Sequence, residues 1–184
     1  MPKQEFPFPM PNGWFCVTRS DEIKAGELKN IKFCENDVAA FRTKSGKAAV
    51  LDAYCGYSGI NLALCGEVRE EALYCPKTGI KWGADGSCID IDGDSLTPES
   101  AKDIKIFNYP VVEINGFIWA WHHLLKEKPY FELPMLDGFN GDDEKWGKVY
   151  HYEYKINTVL QEIAENDVDQ AHFPKVHGSP SLPE

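Results

Sequence analysis

From Trp14 onward the chain is cut into short β-rich segments by turn residues at close intervals, and this punctuation constrains its fold more than any other feature. The segments 14–18, 28–33, 38–42, 48–53, 67–74, 80–82, 87–91, 111–114 and 117–121 read as strands. Between them stand Asn36-Asp37, Lys44-Ser45-Gly46-Lys47, Asp85-Gly86 and Asn115-Gly116, the last being the strongest two-residue hairpin signal. Strands this short and this closely spaced predict an all-β sandwich or small barrel. Residues 1–12 are Pro-rich and read as an extended lead-in, because proline fixes φ and donates no hydrogen bond. Residues 92–105 are polar and read as loop, while 126–147 mix Pro, Gly and acidic residues and read as a connection between modules. After an alternating strand at 149–155 the period changes. Val159, Ile163 and Val168, with Leu160 and Ala164 alongside, fit a helix face, with Thr158 as N-cap and Gln161 three residues on. No internal repeat is evident.

Composition removes several functions. The 184 residues carry a formal charge of −10, which argues against a nucleic-acid partner, since that needs a basic footprint. No apolar run is long enough to span a membrane, and no secretory signal is visible, so the expected location is cytoplasmic. All six cysteines precede residue 89 and all five histidines follow residue 121, so no mixed Cys/His site forms within the first half. Without an export signal the cysteines read as reduced thiols or metal ligands rather than a disulfide scaffold.

Two constellations carry the chemistry. The first is Cys55-Gly56-Tyr57-Ser58-Gly59 followed by Cys75-Pro76-Lys77-Thr78-Gly79, with 17 residues between Tyr57 and Cys75. Two loops that each offer a Cys beside a Gly can clamp a cluster. This frame resembles that of Rieske-type non-haem iron oxygenases, in which Cys-x-His and Cys-x-x-His loops hold a [2Fe-2S] cluster through two thiolates and two imidazoles. Asp52-Ala53-Tyr54, Gly59, Leu62, Gly66, Val68, Trp82, Asp85-Gly86 and Cys88 match the flanking pattern. The resemblance makes Cys55 and Cys75 the cluster thiolates, but Tyr57 and Thr78 occupy the two histidine positions. Gly56, Lys77 and Ile80 depart from the pattern too, which resembles divergence of both loops as a whole. Neither a phenol nor a threonine hydroxyl is a good substitute for imidazole on such an iron.

The second constellation is Asn166-x-x-Asp169-x-x-His172-x4-His177-Gly178. Two neutral imidazoles and a carboxylate hold Fe(II) on one face and leave positions open for O2 and substrate. By the same resemblance His172 and His177 are ligands of the mononuclear Fe(II). Asp169, one turn earlier, orients an imidazole or links the two centres, and Asn166 is a polar neighbour of the iron. The third ligand should come from a later helix, and after His177 the sequence offers only Glu184, a poor candidate, so the chain reads as truncated. His122-His123 read as surface residues at a strand end.

The resemblance, nearest to the sterol and ketosteroid hydroxylase branch, implies a Rieske-like domain of stacked antiparallel sheets at 13–125. The connection at 126–147 then leads to the first strand and helix of a helix-grip catalytic domain at 148–184. It also implies a reductase or ferredoxin as electron donor, a small apolar substrate and a homotrimer. Three readings stay open: an oxygenase component with impaired redox function, a cluster-free scaffold acting as a structural or partner subunit, and a zinc or other metal module built on the remaining thiols.

Overall fold

The computed structural model describes residues 9–93, 101, 103–136, 147 and 150–178. They fall into two units, one within 1–147 and one within 148–184.

The first unit is three antiparallel sheets. The strands are β1 (Gly13–Arg19), β2 (Leu28–Phe33), β3 (Asn36–Arg42), β4 (Ala48–Asp52), β5 (Glu67–Arg69), β6 (Ala72–Tyr74), β7 (Ile80–Gly83), β8 (Cys88–Ile91), β9 (Val111–Ile114) and β10 (Phe117–His122). One sheet runs β1-β10-β9, a second β2-β3-β4, and the third β5-β6-β7-β8. A short helix, α1 (Leu62–Cys65), sits between β4 and β5 and is capped by Asn61, whose side chain accepts the Leu64 N–H. The mainly β, stacked-sheet architecture expected from the sequence is the one observed.

The middle sheet is buried on both faces. Alternate residues of β3 point opposite ways: Val38 and Ala40 enter a core shared with Ile118 and Ala120 of β10, while Ala39 and Phe41 enter a second core with Leu73, Ile80 and Trp82. Cys55 and Cys75 lie in this second core. Arg42, at the end of β3, ties the layers together. Its guanidinium donates to the carbonyls of Ser20, Ile23 and Gly46 and, as a fork at 2.9 Å on each arm, to Glu113 of β9.

Four expectations change. The strand expected at 67–74 is a hairpin, β5 and β6, because the chain reverses at Glu70 with φ +50. Of the 92–105 loop, Ala101 is helical and fully buried. The strand expected at 149–155 is not seen in the described residues 150–155, to which no strand is assigned; a strand needs a neighbouring strand, and the described residues of this unit contain none. The helix there, α2 (Leu160–Val168), is capped by Val159 and not Thr158, whose hydroxyl bonds Glu162 instead at 2.6 Å. A second short helix follows, α3 (His172–Val176).

The connection expected at 126–147 is fastened where it is described. Trp14 Nε1 donates to the Phe131 carbonyl at 2.9 Å and Trp121 Nε1 to that of Glu127 at 3.0 Å. His123 is no surface residue: its side chain is 8% exposed, and Nδ1 accepts the N–H groups of Leu125 and Glu127.

Candidate functional site

The two cysteine loops are built alike. Cys55 N–H donates to the Ile60 carbonyl and Cys75 N–H to that of Ile80, both at 2.9 Å. Gly59 N–H returns to the Cys55 carbonyl at 2.8 Å, and Gly79 N–H to the Cys75 carbonyl at 2.9 Å. Both glycines take positive φ, +66 and +74, which closes the turn. The shared sequence is Cys-x-x-x-Gly-Ile, a short internal repeat that strand patterning alone does not reveal, in place of the absence of repeats expected above. Gly79 is packed hard, since a Cβ there would lie 2.0 Å from the Asp92 carbonyl oxygen.

Both turns deliver their cysteine to the same core, with Cys55 3% and Cys75 0% exposed. Burial alone would raise the Cys55 thiol. The neighbouring Ser58 and Tyr57 N–H groups and the Ser58 and Cys75 side chains outweigh it and hold Cys55 below the ordinary thiol value. The Ser58 hydroxyl is buried and has no hydrogen-bond partner at ordinary distance. Cys65, on α1, stands close enough that burial and then the charges of Cys75 and Cys55 raise its thiol, and its Sγ donates to the Asn61 carbonyl at 3.0 Å. Cys65 was read from the sequence, with Cys88, as a candidate further thiolate beside the pair; Ser58 was not singled out, and the repeat is the signal that leads to it. All six cysteines are free thiols.

A [2Fe-2S] cluster of the Rieske type fits one half of this centre. The thiolate pair and the N–H groups around Cys55 suit one iron. The other half does not fit. Tyr57 is half exposed to solvent, and the Thr78 hydroxyl accepts the Ile80 N–H at 3.3 Å within its own turn. Two imidazoles are needed there and none of the five histidines lies in these loops.

The second constellation lies in the other unit. His172 opens α3 and His177 caps its end, with ring centroids 5.3 Å apart at 72°. His172 Nδ1 bonds the backbone carbonyl of Asp169. A carbonyl only accepts, so Nδ1 carries the proton and Nε2 has a free lone pair. That Nε2 is buried with no hydrogen-bond partner, the condition of an imidazole awaiting a metal. The Asp169 carboxylate lies 3.7 Å from Nδ1 and also accepts the Ala171 N–H at 3.2 Å. These residues therefore fit a mononuclear ion with two protein nitrogens. Asn166 is exposed on α2. Among the described residues no three metal-ligating side chains converge on one point, and Glu184 lies outside them. Among them, too, no helix is long and apolar enough to cross a membrane.

Comparison with known proteins gives two family matches along the chain. Residues 13–107 match the Rieske [2Fe-2S] domain family, and 120–183 match the 3-ketosteroid 9alpha-hydroxylase C-terminal domain. Cholesterol 7-desaturase of Drosophila melanogaster is 36% identical over 94% of this chain and 39% of its own length. The oxygenase component of 3-ketosteroid-9-alpha-monooxygenase from Rhodococcus rhodochrous is 30% identical over 90% of this chain and 43% of its own. The chain thus spans about two-fifths of these relatives. Among solved structures, dicamba monooxygenase bound to dicamba superposes with a TM-score of 0.70 over 91% of this chain and 48% of its own, a likeness of fold at 21% identity. The oxygenase of carbazole 1,9a-dioxygenase, solved with its ferredoxin, gives 0.54 at 26% identity over 60% of this chain and 28% of its own. With the Rieske match covering more than half of its residues, the chain belongs to the Rieske [2Fe-2S] domain family.

Proposed function

We propose that this chain carries the Rieske module and the opening of the catalytic module of an oxygenase component that oxidises an apolar, ring-shaped substrate of the sterol type. The observation that carries the reading is His172: its Nδ1–H is held by Asp169 while its buried Nε2 has no partner. His172 and His177 would hold Fe(II), with a carboxylate from outside the described residues as third ligand, and the bound ion would supply the centre at which O2 is activated. Asp169 then acts on His172 alone: it keeps the proton on Nδ1 and fixes the ring's direction. Asn166, three residues before Asp169 on the adjoining helix, is a polar neighbour of the same centre. The names of the relatives, a cholesterol 7-desaturase and a 3-ketosteroid monooxygenase, support the substrate class and favour an oxygenase component over a structural subunit. The carbazole dioxygenase complex supports a ferredoxin or reductase as partner. The domain limits 13–125, 126–147 and 148–184, the homotrimer and a cytoplasmic location belong to this same reading.

Electron supply through a His2Cys2 cluster is not supported by Tyr57 and Thr78, so turnover should be crippled at that step. The test supplies Fe(II), a ferredoxin–reductase pair and cholesterol or a 3-ketosteroid to the protein containing this chain. Oxidised sterol is followed by mass spectrometry. Tyr57→His with Thr78→His, after iron and sulfide loading, should raise product formation, and His172→Ala should abolish it. No sterol product from the fully loaded double variant would overturn the reading.

A further inference from the structure

The chain leaves β10 through a turn built on an imidazole. Nδ1 of His123 accepts the N–H of Leu125 at 3.2 Å and that of Glu127 at 3.3 Å, and the His123 carbonyl accepts the Lys126 N–H at 2.9 Å. We propose that this turn is an acid-sensitive latch: a proton on His123 opens it and frees the strap 124–131 from the first unit. The latch does not depend on the oxygenase reading.

A neutral imidazole has one nitrogen that accepts and one that donates, whereas the charged ring only donates. Nδ1 takes two N–H groups, so it is the unprotonated nitrogen, and Nε2 carries the proton. Once the ring is charged neither nitrogen accepts, and flipping it restores nothing. The N–H groups of Leu125 and Glu127 would then face a third N–H. The His123 side chain is only 8% exposed, which leaves water little room to take the place of Nδ1.

Three titratable groups stand against this ring. The Glu127 carboxylate lies 3.6 Å from Nε2, and the Tyr130 ring centroid lies 6.3 Å from that of His123. His122 precedes it on β10, held below the ordinary imidazole value by burial and then by the charge of His123, against the opposing charge of Glu35. The Glu127 carboxylate is mostly exposed, so water screens its attraction for a charged ring, and its own N–H is one of the two displaced. A proton on Nδ1 is therefore compatible with the open turn alone. Acid favours opening, and closure returns as pH rises.

More of the chain hangs on this turn. Lys126 holds left-handed backbone, φ +55, which costs an L-residue energy that the bonds to His123 offset. Asn12 Oδ1 accepts the Leu124 N–H at 2.9 Å, Trp121 Nε1 donates to the Glu127 carbonyl, and Trp14 Nε1 donates to that of Phe131. Tyr130 and Phe131 pack edge-on against Trp121, at 5.0 and 5.2 Å between centroids. Histidine changes charge between about pH 5 and 8, so mild acid is enough to work the latch. The strap is the stretch by which the chain leaves the first unit, so acid would loosen the root of the connection at 126–147.

The test uses the whole chain labelled with nitrogen-15, followed by NMR from about pH 8 to about pH 5. The His123 ring, the Leu125 and Glu127 amides and the Trp121 indole N–H are the reporters. As the His123 ring charges, protection of both amides, corrected for intrinsic exchange, should fall by about tenfold or more, the loss expected for two hydrogen bonds. The Trp121 indole signal should shift in step. His123→Asn keeps an acceptor for the same turn but cannot be charged, so its strap should stay protected at about pH 5. His122→Asn should keep the acid response. A charged His123 ring with both amides still protected would overturn the proposal, as would a ring that stays neutral throughout. An equal acid response in His123→Asn, or its loss in His122→Asn, would overturn it too. Should His123→Asn not fold, ring charge against amide protection in the natural chain decides the matter. Sterol oxidation is not read, so neither result bears on the oxygenase reading.

Discussion

Gly79→Ala should damage the second cysteine turn far more than Gly59→Ala damages the first, although the two turns share one hydrogen-bond plan. Both glycines take left-handed backbone, φ +74 and φ +66, which costs an L-residue roughly 1–2 kcal/mol. At Gly59 that is the whole penalty, because a Cβ would meet nothing within 4 Å. At Gly79 the Cβ would fall 2.0 Å from the Asp92 carbonyl oxygen, so Asp92 must move. Its N–H then loses the 2.8 Å bond to the Gly79 carbonyl, a further loss of about 0.5–1.5 kcal/mol. The sum for Gly79→Ala is about 1.5–3.5 kcal/mol. With a urea dependence of about 2 kcal/mol/M, the unfolding midpoint should fall by about 1–2 M, and by less for Gly59→Ala. Equal shifts for the two variants, or a shift below about 0.5 M for Gly79→Ala, would refute the packing argument.

Other perturbations test the layers and the second centre. Arg42→Met removes donors to three carbonyls and to Glu113, and should cost about 3–5 kcal/mol in chemical denaturation; a cost under about 1 kcal/mol would show that the fork does not join the sheets. Glu113 is held below the usual carboxylate value by its hydrogen bonds with Arg42. Because the folded value is the lower one, its contribution is complete above the unfolded value of 4.5 and is lost as pH falls through the folded value. Glu113→Gln should therefore flatten the acid limb of the stability profile, while an unchanged limb would count against the ion pair. Asp169→Ala keeps the backbone carbonyl that holds His172 Nδ1 and removes only the carboxylate 3.7 Å away, so Co(II), used as a spectroscopic stand-in for Fe(II), should lose less than the roughly 10-fold expected for a removed outer-shell partner in a direct titration. A loss of about 10-fold or more would mean that the carboxylate, and not the carbonyl, positions His172.

What could be read from the sequence was local. Asn115-Gly116 turns β9 into β10 with φ +55 and +76, the conformation for which that dipeptide is suited. Glu70-Glu71 makes an equally sharp reversal without any turn chemistry to announce it, so β5 and β6 looked like one strand. The alternation at 149–155 described a strand's surface but not a partner, and pairing is a property of two segments. Pairing of β1 with β10, with Trp14 opposite Trp121, joins positions far apart in sequence and leaves no local trace. The candidate site followed the same rule. Cys55, Cys75, His172 and His177 could be picked out by spacing. The Ser58 hydroxyl and the orphaned His172 Nε2 required the folded turns that place them.

The half-built cluster centre is tested most directly by iron and acid-labile sulfide content with EPR, comparing the natural chain with Tyr57→His/Thr78→His after identical anaerobic reconstitution. The account predicts Rieske-type EPR and equal iron and sulfide in the double variant, and no such signal in the natural chain. A natural chain that gives the Rieske signal as strongly as the variant would contradict it.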